Sequence, residues 1–168
     1  SGKTIVATIA MVATALTGKQ AALMVPTEIL AEQHMLTIEK LIQGTSLKAV
    51  LLTGSMNRSQ KKRKELLGQI ESGEANLIIG THALFQQDVN FKELAFVVID
   101  EQHRFGVQQR QALAGKGAGV NVLQMTATPI PRTLAITAFG EMDTSILGEI
   151  PRGRQPIKTT WVREQEME

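Results

Sequence analysis

The sequence contains no cysteine and no tyrosine, and only 4% of its 168 residues are aromatic. Without cysteine the chain forms no disulfide and holds no thiolate-bound metal, which suits a reducing cytoplasm, where we expect the protein. No apolar run reaches the roughly 18 residues that a membrane-spanning helix needs, so no membrane partner is expected. The net charge of +2 permits nucleic-acid binding without indicating it. The 43% hydrophobic content suffices for one domain with a buried core.

Short apolar runs alternate with helical segments along the chain. The runs are continuous rather than alternating with polar residues, which is typical of strands buried on both faces of a parallel sheet. Five such strands are predicted, at residues 21–25, 48–52, 77–79, 96–99 and 121–125. Three helices, each stopping just before a glycine, are predicted at residues 4–16, 28–42 and 59–72. This pattern predicts an α/β fold with a mostly parallel sheet flanked by helices, in which ligands bind beyond the carboxyl ends of the strands.

The first four residues, Ser1-Gly2-Lys3-Thr4, match the end of the phosphate-binding loop G-x-x-x-x-G-K-[ST]. In that loop the glycine lets backbone N–H groups approach phosphate oxygens, the lysine reaches the outer phosphates, and the hydroxyl joins the shell of Mg²⁺. The helix that follows adds its positive N-terminal end. Four residues are a weak signal by themselves, because Gly-Lys-Thr also occurs by chance at ordinary helix starts.

The predicted strand at residues 96–99 ends in two adjacent carboxylates, Asp100 and Glu101. Ionised groups at the end of a buried strand need a cation or a wet cleft. In nucleotide hydrolases the first acid holds Mg²⁺, and the second orients and deprotonates the attacking water. The alternative is a pair of solvated acids at the start of a loop. Together with Gly2-Lys3-Thr4 upstream, the pair favours a site that hydrolyses ATP with Mg²⁺.

Two further segments separate a helicase from other ATPases. Gln102 and His103 extend the acidic pair in the manner of the DExH helicases. Thr126-Ala127-Thr128-Pro129 follows the last predicted strand and resembles the S/T-A-T motif that links hydrolysis to movement of nucleic acid. Thr-Ala-Thr alone would indicate a plain turn, but its place after the acidic strand favours the motif. A transport or signalling ATPase would lack it, and a binding module with decayed catalysis would have lost Lys3 or Glu101.

Five segments together resemble the motor of RecG-type DNA helicases. They span nearly the whole chain, at residues 26–34, 52–55, 80–84, 100–107 and 125–133. The nearest alternative is the transcription-repair coupling factor, which tends to have Asp-Glu-Glu-Gln where this chain has Asp100-Glu101-Gln102-His103. The RecG-type family is therefore favoured.

This resemblance implies a RecA-like P-loop NTPase fold and assigns roles residue by residue. The residues implied to bind ATP are Ser1, Gly2, Lys3 and Thr4, with Thr4 and Asp100 as ligands of Mg²⁺. The catalytic residues are implied to be Asp100, Glu101, Gln102 and His103, the last two as couplers to the Thr-Ala-Thr motif. The residues implied to contact DNA or to couple its movement to hydrolysis are Pro26, Thr27, Thr53, Gly54, Gly80, Thr81, His82, Thr126, Thr128 and Arg132.

The resemblance also implies partners. They are branched DNA such as stalled forks and Holliday junctions, moved by double-strand translocation, and a second RecA-like motor domain and a DNA wedge domain of the same protein. Residues 1–150 are expected to be the first motor domain, and residues 151–168 a linker and the start of the second. By the same resemblance, the first half of the phosphate loop and its strand are expected to lie before Ser1. We therefore expect the fold to lack that strand, residues 122–125 to keep one unpaired edge, and this chain alone to be inactive.

Several residues have an ordinary structural explanation as well. His34 lies on the apolar stripe of a helix and is expected to be in the core or half-buried rather than catalytic, while His82 could cap a turn. Trp161 is expected to pack rather than to stack on bases. A basic run consists of Arg58, Lys61, Lys62, Arg63 and Lys64. Such a run more often forms the solvated face of a helix than a DNA-binding site, and we expect a solvated face here.

Overall fold

The computed structural model describes residues 2–55, 60–100, 119–126, 143 and 145–147, and within them three α-helices and five strands alternate along the chain. The α-helices are α1 (Lys3–Leu16), α2 (Glu28–Ile42) and α3 (Gln60–Ser72). A short 3₁₀ helix spans His82–Phe85. The strands are β1 (Gln20–Met24), β2 (Ala49–Leu52), β3 (Leu77–Gly80), β4 (Leu94–Asp100) and β5 (Asn121–Met125). None of the helices in these ranges has the length and apolarity needed to cross a membrane.

The predicted elements are confirmed, with bounds that differ by at most two residues. The largest difference is at the start of β4, which begins at Leu94 because that residue pairs with Gln20 at the start of β1. The 3₁₀ helix was not predicted, since four residues are too few to show a periodic pattern. Each α-helix is followed within two residues by a glycine with positive φ, namely Gly18, Gly44 and Gly73.

The strands form one parallel sheet in the order β2-β3-β1-β4-β5. Because all strands run the same way, their last residues lie along one side of the sheet, which we call the carboxyl edge: Met24, Leu52, Gly80, Asp100 and Met125. The segments that follow the strands therefore meet there. At the end of the strand order, β5 pairs only with β4 among the described strands, and its Val122 is 39% exposed. The open edge of residues 122–125 stays a prediction.

Helices cover both faces of the sheet, which explains why every residue of β1 and β3 is buried. Side chains alternate between the faces along a strand. On one face, Leu23 of β1 belongs to a cluster with Met11 of α1 and Ile38 of α2. On the other face, the next residue, Met24, belongs to a cluster with Ile70 of α3. The continuous apolar runs of the sequence are thus explained by burial on two sides.

One buried polar residue joins three elements at the opposite, amino edge of the sheet. Gln20 is only 2% exposed. Its side-chain amide donates to the carbonyls of Ile70 and Ala75, both at 2.8 Å, and its oxygen accepts the N–H of Glu93 at 3.0 Å. These bonds hold the end of α3, the loop before β3 and the start of β4 together. Both N–H groups and the oxygen of this side chain are hydrogen-bonded, which accounts for its burial.

Candidate nucleotide and nucleic-acid sites

The residues predicted to bind phosphate lie at the N-terminus of α1, at the carboxyl edge. Lys3 and Thr4 open the helix and are half-buried. The Lys3 Nζ donates to the backbone oxygen of Thr126 at 2.9 Å. Thr126 directly follows Met125, the register partner of Asp100. The contact therefore brings the predicted phosphate lysine to the ends of β4 and β5, although the bonded residues lie 123 positions apart.

The first turn of α1 has features that favour a negatively charged ligand. Gly2 occupies the N-cap position without a side-chain hydrogen bond, and the first turn contains no acidic residue. The first N–H groups of a helix lack partners within the helix and carry a partial positive charge, so they favour a negative ligand. A Cβ at Gly2 would meet no atom within 4 Å. Packing within the described part of the chain therefore does not require glycine at this position.

Asp100 is the last residue of β4, and its side chain is 37% exposed. Its Oδ2 lies 3.6 Å from Nε2 of His34, which projects from the middle of α2 and is 13% exposed. The predicted half-burial of His34 is confirmed. Its position against the predicted metal ligand was not predicted, because nothing in the sequence places the middle of α2 beside the end of β4.

The oxygen donors at this point fit Mg²⁺ bound together with a nucleotide. Asp100 offers a carboxylate and Thr4 a hydroxyl, which are hard ligands of the kind that Mg²⁺ takes. Within the described ranges no three His, Cys, Asp or Glu side chains converge to hold a metal ion. Mg²⁺ is usually held by one or two carboxylates together with substrate phosphates and water.

The residues predicted to contact DNA lie farther along the same edge, after β1, β2 and β3. Pro26 and Thr27 follow β1 and are exposed. The Thr27 hydroxyl accepts the N–H of Leu30 at 3.3 Å and so caps α2. An N-cap of this kind typically contributes about 1 kcal/mol to stability. Thr27 therefore has a structural role, whatever it contacts outside the chain.

Glu28 joins two of these segments and was not singled out from the sequence. Its Oε1 accepts the N–H of Ser55 at 2.8 Å. The hydroxyls of Thr53 and Ser55 are hydrogen-bonded to each other at 2.9 Å. Thr53 is only 3% exposed, whereas Gly54 is exposed. Residues 26–28 and 53–55 thus form one continuous surface, with Thr53 beneath it.

The third segment begins with Gly80, where the neighbouring strand β2 leaves no room for a side chain. A Cβ at Gly80 would lie 2.1 Å from the backbone oxygen of Leu52, so the approach of β2 to β3 requires glycine. The same Leu52 oxygen accepts the N–H of Thr81 at 3.3 Å. Thr81 holds the N-cap position of the 3₁₀ helix, and His82 is exposed at its first residue. We call the exposed part of these three segments the edge surface: Pro26, Thr27, Gly54, Ser55 and His82.

The basic run is divided by the structure. The Arg63 side chain is 11% exposed and contacts both carboxylate oxygens of Asp88, at 2.9 and 3.1 Å from Nη2, and the oxygen of Gln86 at 2.6 Å. It therefore holds α3 against the segment after the 3₁₀ helix. The three lysines of the run, which we call the α3 lysines, are exposed: Lys61, Lys62 and Lys64.

Other predicted residues lie outside the described part of the chain, and their roles stay predictions. They are Ser1, Arg58, Glu101, Gln102, His103, Thr128, Arg132 and Trp161.

Residues 1–136 match the family model of the DEAD/DEAH box helicases. The chain belongs to this family. This member of the DEAD/DEAH box helicase family is 56% identical over 167 residues to the ATP-dependent DNA helicase RecG of Streptococcus pneumoniae serotype 4. It is 58% identical over 166 residues to the RecG of Staphylococcus aureus strain NCTC 8325. Each alignment covers 99% of this chain and 24% of the relative, so the chain spans about a quarter of the length of these curated proteins.

A solved structure of RecG bound to a three-way DNA junction is similar as well. It matches 94% of this chain, and 21% of the RecG chain, with 39% sequence identity and a TM-score of 0.77. The predicted resemblance to RecG-type helicases and the predicted RecA-like α/β fold are confirmed by these matches.

Proposed function

We propose that residues 1–150 are the first RecA-like motor domain of an ATP-dependent DNA helicase of RecG type that acts on branched DNA. The observation that carries the proposal is the contact between Lys3 and the Thr126 carbonyl, at 2.9 Å beside the end of β4. It joins the predicted phosphate loop to the Thr-Ala-Thr motif, next to Asp100 at the end of β4. The relatives' identity as ATP-dependent DNA helicases, and the three-way junction bound by one of them, support the proposed activity and substrate class.

In this proposal, the start of α1 binds the phosphates of ATP. The free N–H groups of its first turn and the Lys3 ammonium balance the negative charge of the phosphate oxygens. Thr4 and Asp100 would hold Mg²⁺, which supplies further neutralisation of that charge when bound. Glu101 follows Asp100 in the chain and would orient the attacking water and accept its proton.

The edge surface would contact the DNA backbone. Its backbone N–H groups, the Thr27 hydroxyl and the His82 imidazole suit phosphate contacts, which position a protein on DNA without reading its sequence. Thr53 and Gly80 differ from these exposed residues in their burial. Both are buried, so they would shape the edge surface rather than touch DNA.

Coupling between the two sites would use the ends of β4 and β5. Gln102 and His103 follow the acidic pair, while Thr126, Thr128 and Arg132 follow β5. The Lys3 bond to the Thr126 carbonyl offers a direct connection between the phosphate site and the Thr-Ala-Thr motif. The remaining motor parts, a second RecA-like domain and a DNA wedge domain, would come from elsewhere in the full-length protein.

Glu101→Gln in a full-length protein that carries this sequence tests the hydrolytic assignment. Binding of ATP with Mg²⁺ should persist, while turnover should fall by roughly 10²–10⁴ because the general base is lost. The matched control is Glu71→Gln, which makes the same change at an exposed position of α3. A Glu101→Gln turnover within about threefold of the wild type would contradict the role.

The DNA assignment is tested by comparing a three-way junction with a linear duplex of the same total length. We expect the junction to stimulate ATP hydrolysis more strongly and to be unwound with ATP. Equal stimulation by both DNAs would leave an ATP-driven motor but refute the preference for branched substrates.

A further inference from the structure

We propose that His34 is a positioning residue for Asp100: its imidazole orients the carboxylate that would hold Mg²⁺. This inference rests on the proposed function and deepens it. His34 Nε2 and Asp100 Oδ2 are 3.6 Å apart, although the residues belong to different elements, α2 and β4. The approach follows from the fold. β1 ends beside β4, with Met24 paired to Ile99, and α2 begins four residues later.

The surroundings of the carboxylate favour His34 over other partners. Within the part of the chain that the structure describes, His34 is the basic side chain that lies within 4.0 Å of Asp100. Lys3, the other basic residue of the site, donates instead to the Thr126 carbonyl. The half-burial of His34, at 13% exposure, limits how far its ring can turn away and reduces screening by water.

The distance suits an indirect or adjustable contact. At 3.6 Å the pair is longer than a direct hydrogen bond, so a small rotation of either side chain or one bridging water completes it. The contact is to Oδ2, one of the two carboxylate oxygens, and a metal ion can be bound through the other. Hydrogen-bonded partners of this kind orient ligating carboxylates, and their loss typically lowers metal affinity by about 10–100-fold.

A packing role for His34 makes a different prediction from a positioning role. If the ring only fills space between α2 and the sheet, its replacement lowers stability and affects nucleotide binding equally with and without Mg²⁺. If it orients Asp100, the loss is confined to the Mg²⁺-dependent part of binding. A neutral side chain that keeps a donor should then restore function better than an apolar one of similar size.

The test uses a full-length protein that carries this sequence, with the variants His34→Leu and His34→Gln. The control is Glu39→Ala, an exposed position on the same helix. Affinity for a fluorescent ATP analogue is measured across a Mg²⁺ titration and again in EDTA, and circular dichroism checks the folding of each variant. His34→Ala provides a second donor-free variant in case the leucine variant does not fold.

We expect His34→Leu to need about tenfold more Mg²⁺ for half-maximal nucleotide binding, with unchanged affinity in EDTA and partial recovery in His34→Gln. A Mg²⁺ requirement equal to that of Glu39→Ala, or an equal loss in both conditions, overturns the inference and leaves the proposed function standing. Failure of the wild-type protein to bind the analogue with Mg²⁺ overturns both.

Discussion

Replacing Gly80 by alanine tests whether this glycine is required by the sheet or by bound DNA. The resemblance to RecG-type helicases implied a DNA contact, but the structure places Gly80 at the buried end of β3. The added methyl carbon would lie 2.1 Å from the Leu52 oxygen and 3.0 Å from Cγ of Leu84. Cβ atoms essentially never come within 3.0 Å of another heavy atom, so one of the two strands must shift.

The expected cost follows from which atoms can move. The Leu84 side chain can rotate, but the Leu52 oxygen belongs to the backbone and accepts the N–H of Thr81 at 3.3 Å. Overpacking costs roughly 1–3 kcal/mol, and a lost backbone hydrogen bond costs about 1 kcal/mol. Alanine also reduces the entropy of the unfolded chain, which offsets roughly 0.4–1 kcal/mol. We therefore expect Gly80→Ala to destabilise the domain by about 1–3.5 kcal/mol.

Urea unfolding followed by circular dichroism measures this change in the free energy of unfolding. Hydrogen exchange should show the loss of protection in β2 and β3 first. Gly68→Ala is a matched control, because Gly68 lies within α3 and a Cβ there would meet nothing within 4 Å. Alanine at that position should stabilise the helix by roughly 0.5–1 kcal/mol.

Two results would refute this reasoning. If Gly80→Ala were as stable as the wild type, the close approach of β2 to β3 would be wrong. If it were stable but weakened DNA binding, the glycine would serve the DNA contact that the resemblance implied.

The remaining predictions concern coupling, surface charge and the amino edge. Thr126→Ala combined with Thr128→Ala in a full-length protein should preserve most ATP hydrolysis while fork unwinding falls much further, and a parallel drop in both activities contradicts the coupling role. Changing the α3 lysines to glutamine should leave the salt dependence of DNA binding unchanged, whereas a slope of log affinity against log salt that falls by roughly 0.9 per residue would show phosphate contacts on duplex DNA. Gln20→Leu should lower the free energy of unfolding by about 3 kcal/mol or more, since two carbonyls and one N–H lose their partner, and a urea-measured loss below about 1 kcal/mol would show that water replaces it.

Local signals were sufficient to predict the α-helices and strands. The end of α2 was predicted at Ile42 because a glycine follows it two residues later. The structure adds that Thr27 caps its start. The strands were recognisable because both faces of β1 and β3 are buried, which makes their residues continuously apolar. The identity of the predicted motif residues also came from the sequence, since it depends on short patterns and their order along the chain.

The meaning of single residues at the carboxyl edge depended on the fold. Thr53 and Gly80 belong to motifs that predicted DNA contact, yet both are buried, and Gly80 is required by the backbone of β2. The sequence did not distinguish Arg63 from the other four basic residues of its run. The structure does, because Arg63 forms an ion pair with Asp88 whereas the α3 lysines are exposed. A sequence pattern gives the type of residue and its helix face, but not which distant group lies opposite.

By itself, the sequence determined the order and type of the elements, the α/β class and the motif residues at the strand ends, because these follow from hydrophobic periodicity, capping and short-range spacing. Only the tertiary structure decided the strand order β2-β3-β1-β4-β5 and the pairs that this order creates, among them Lys3 with Thr126, Glu28 with Ser55 and His34 with Asp100. Such pairs join residues 27 to 123 positions apart. They depend on strand register and on how each helix crosses the sheet, and packing of the whole core sets both.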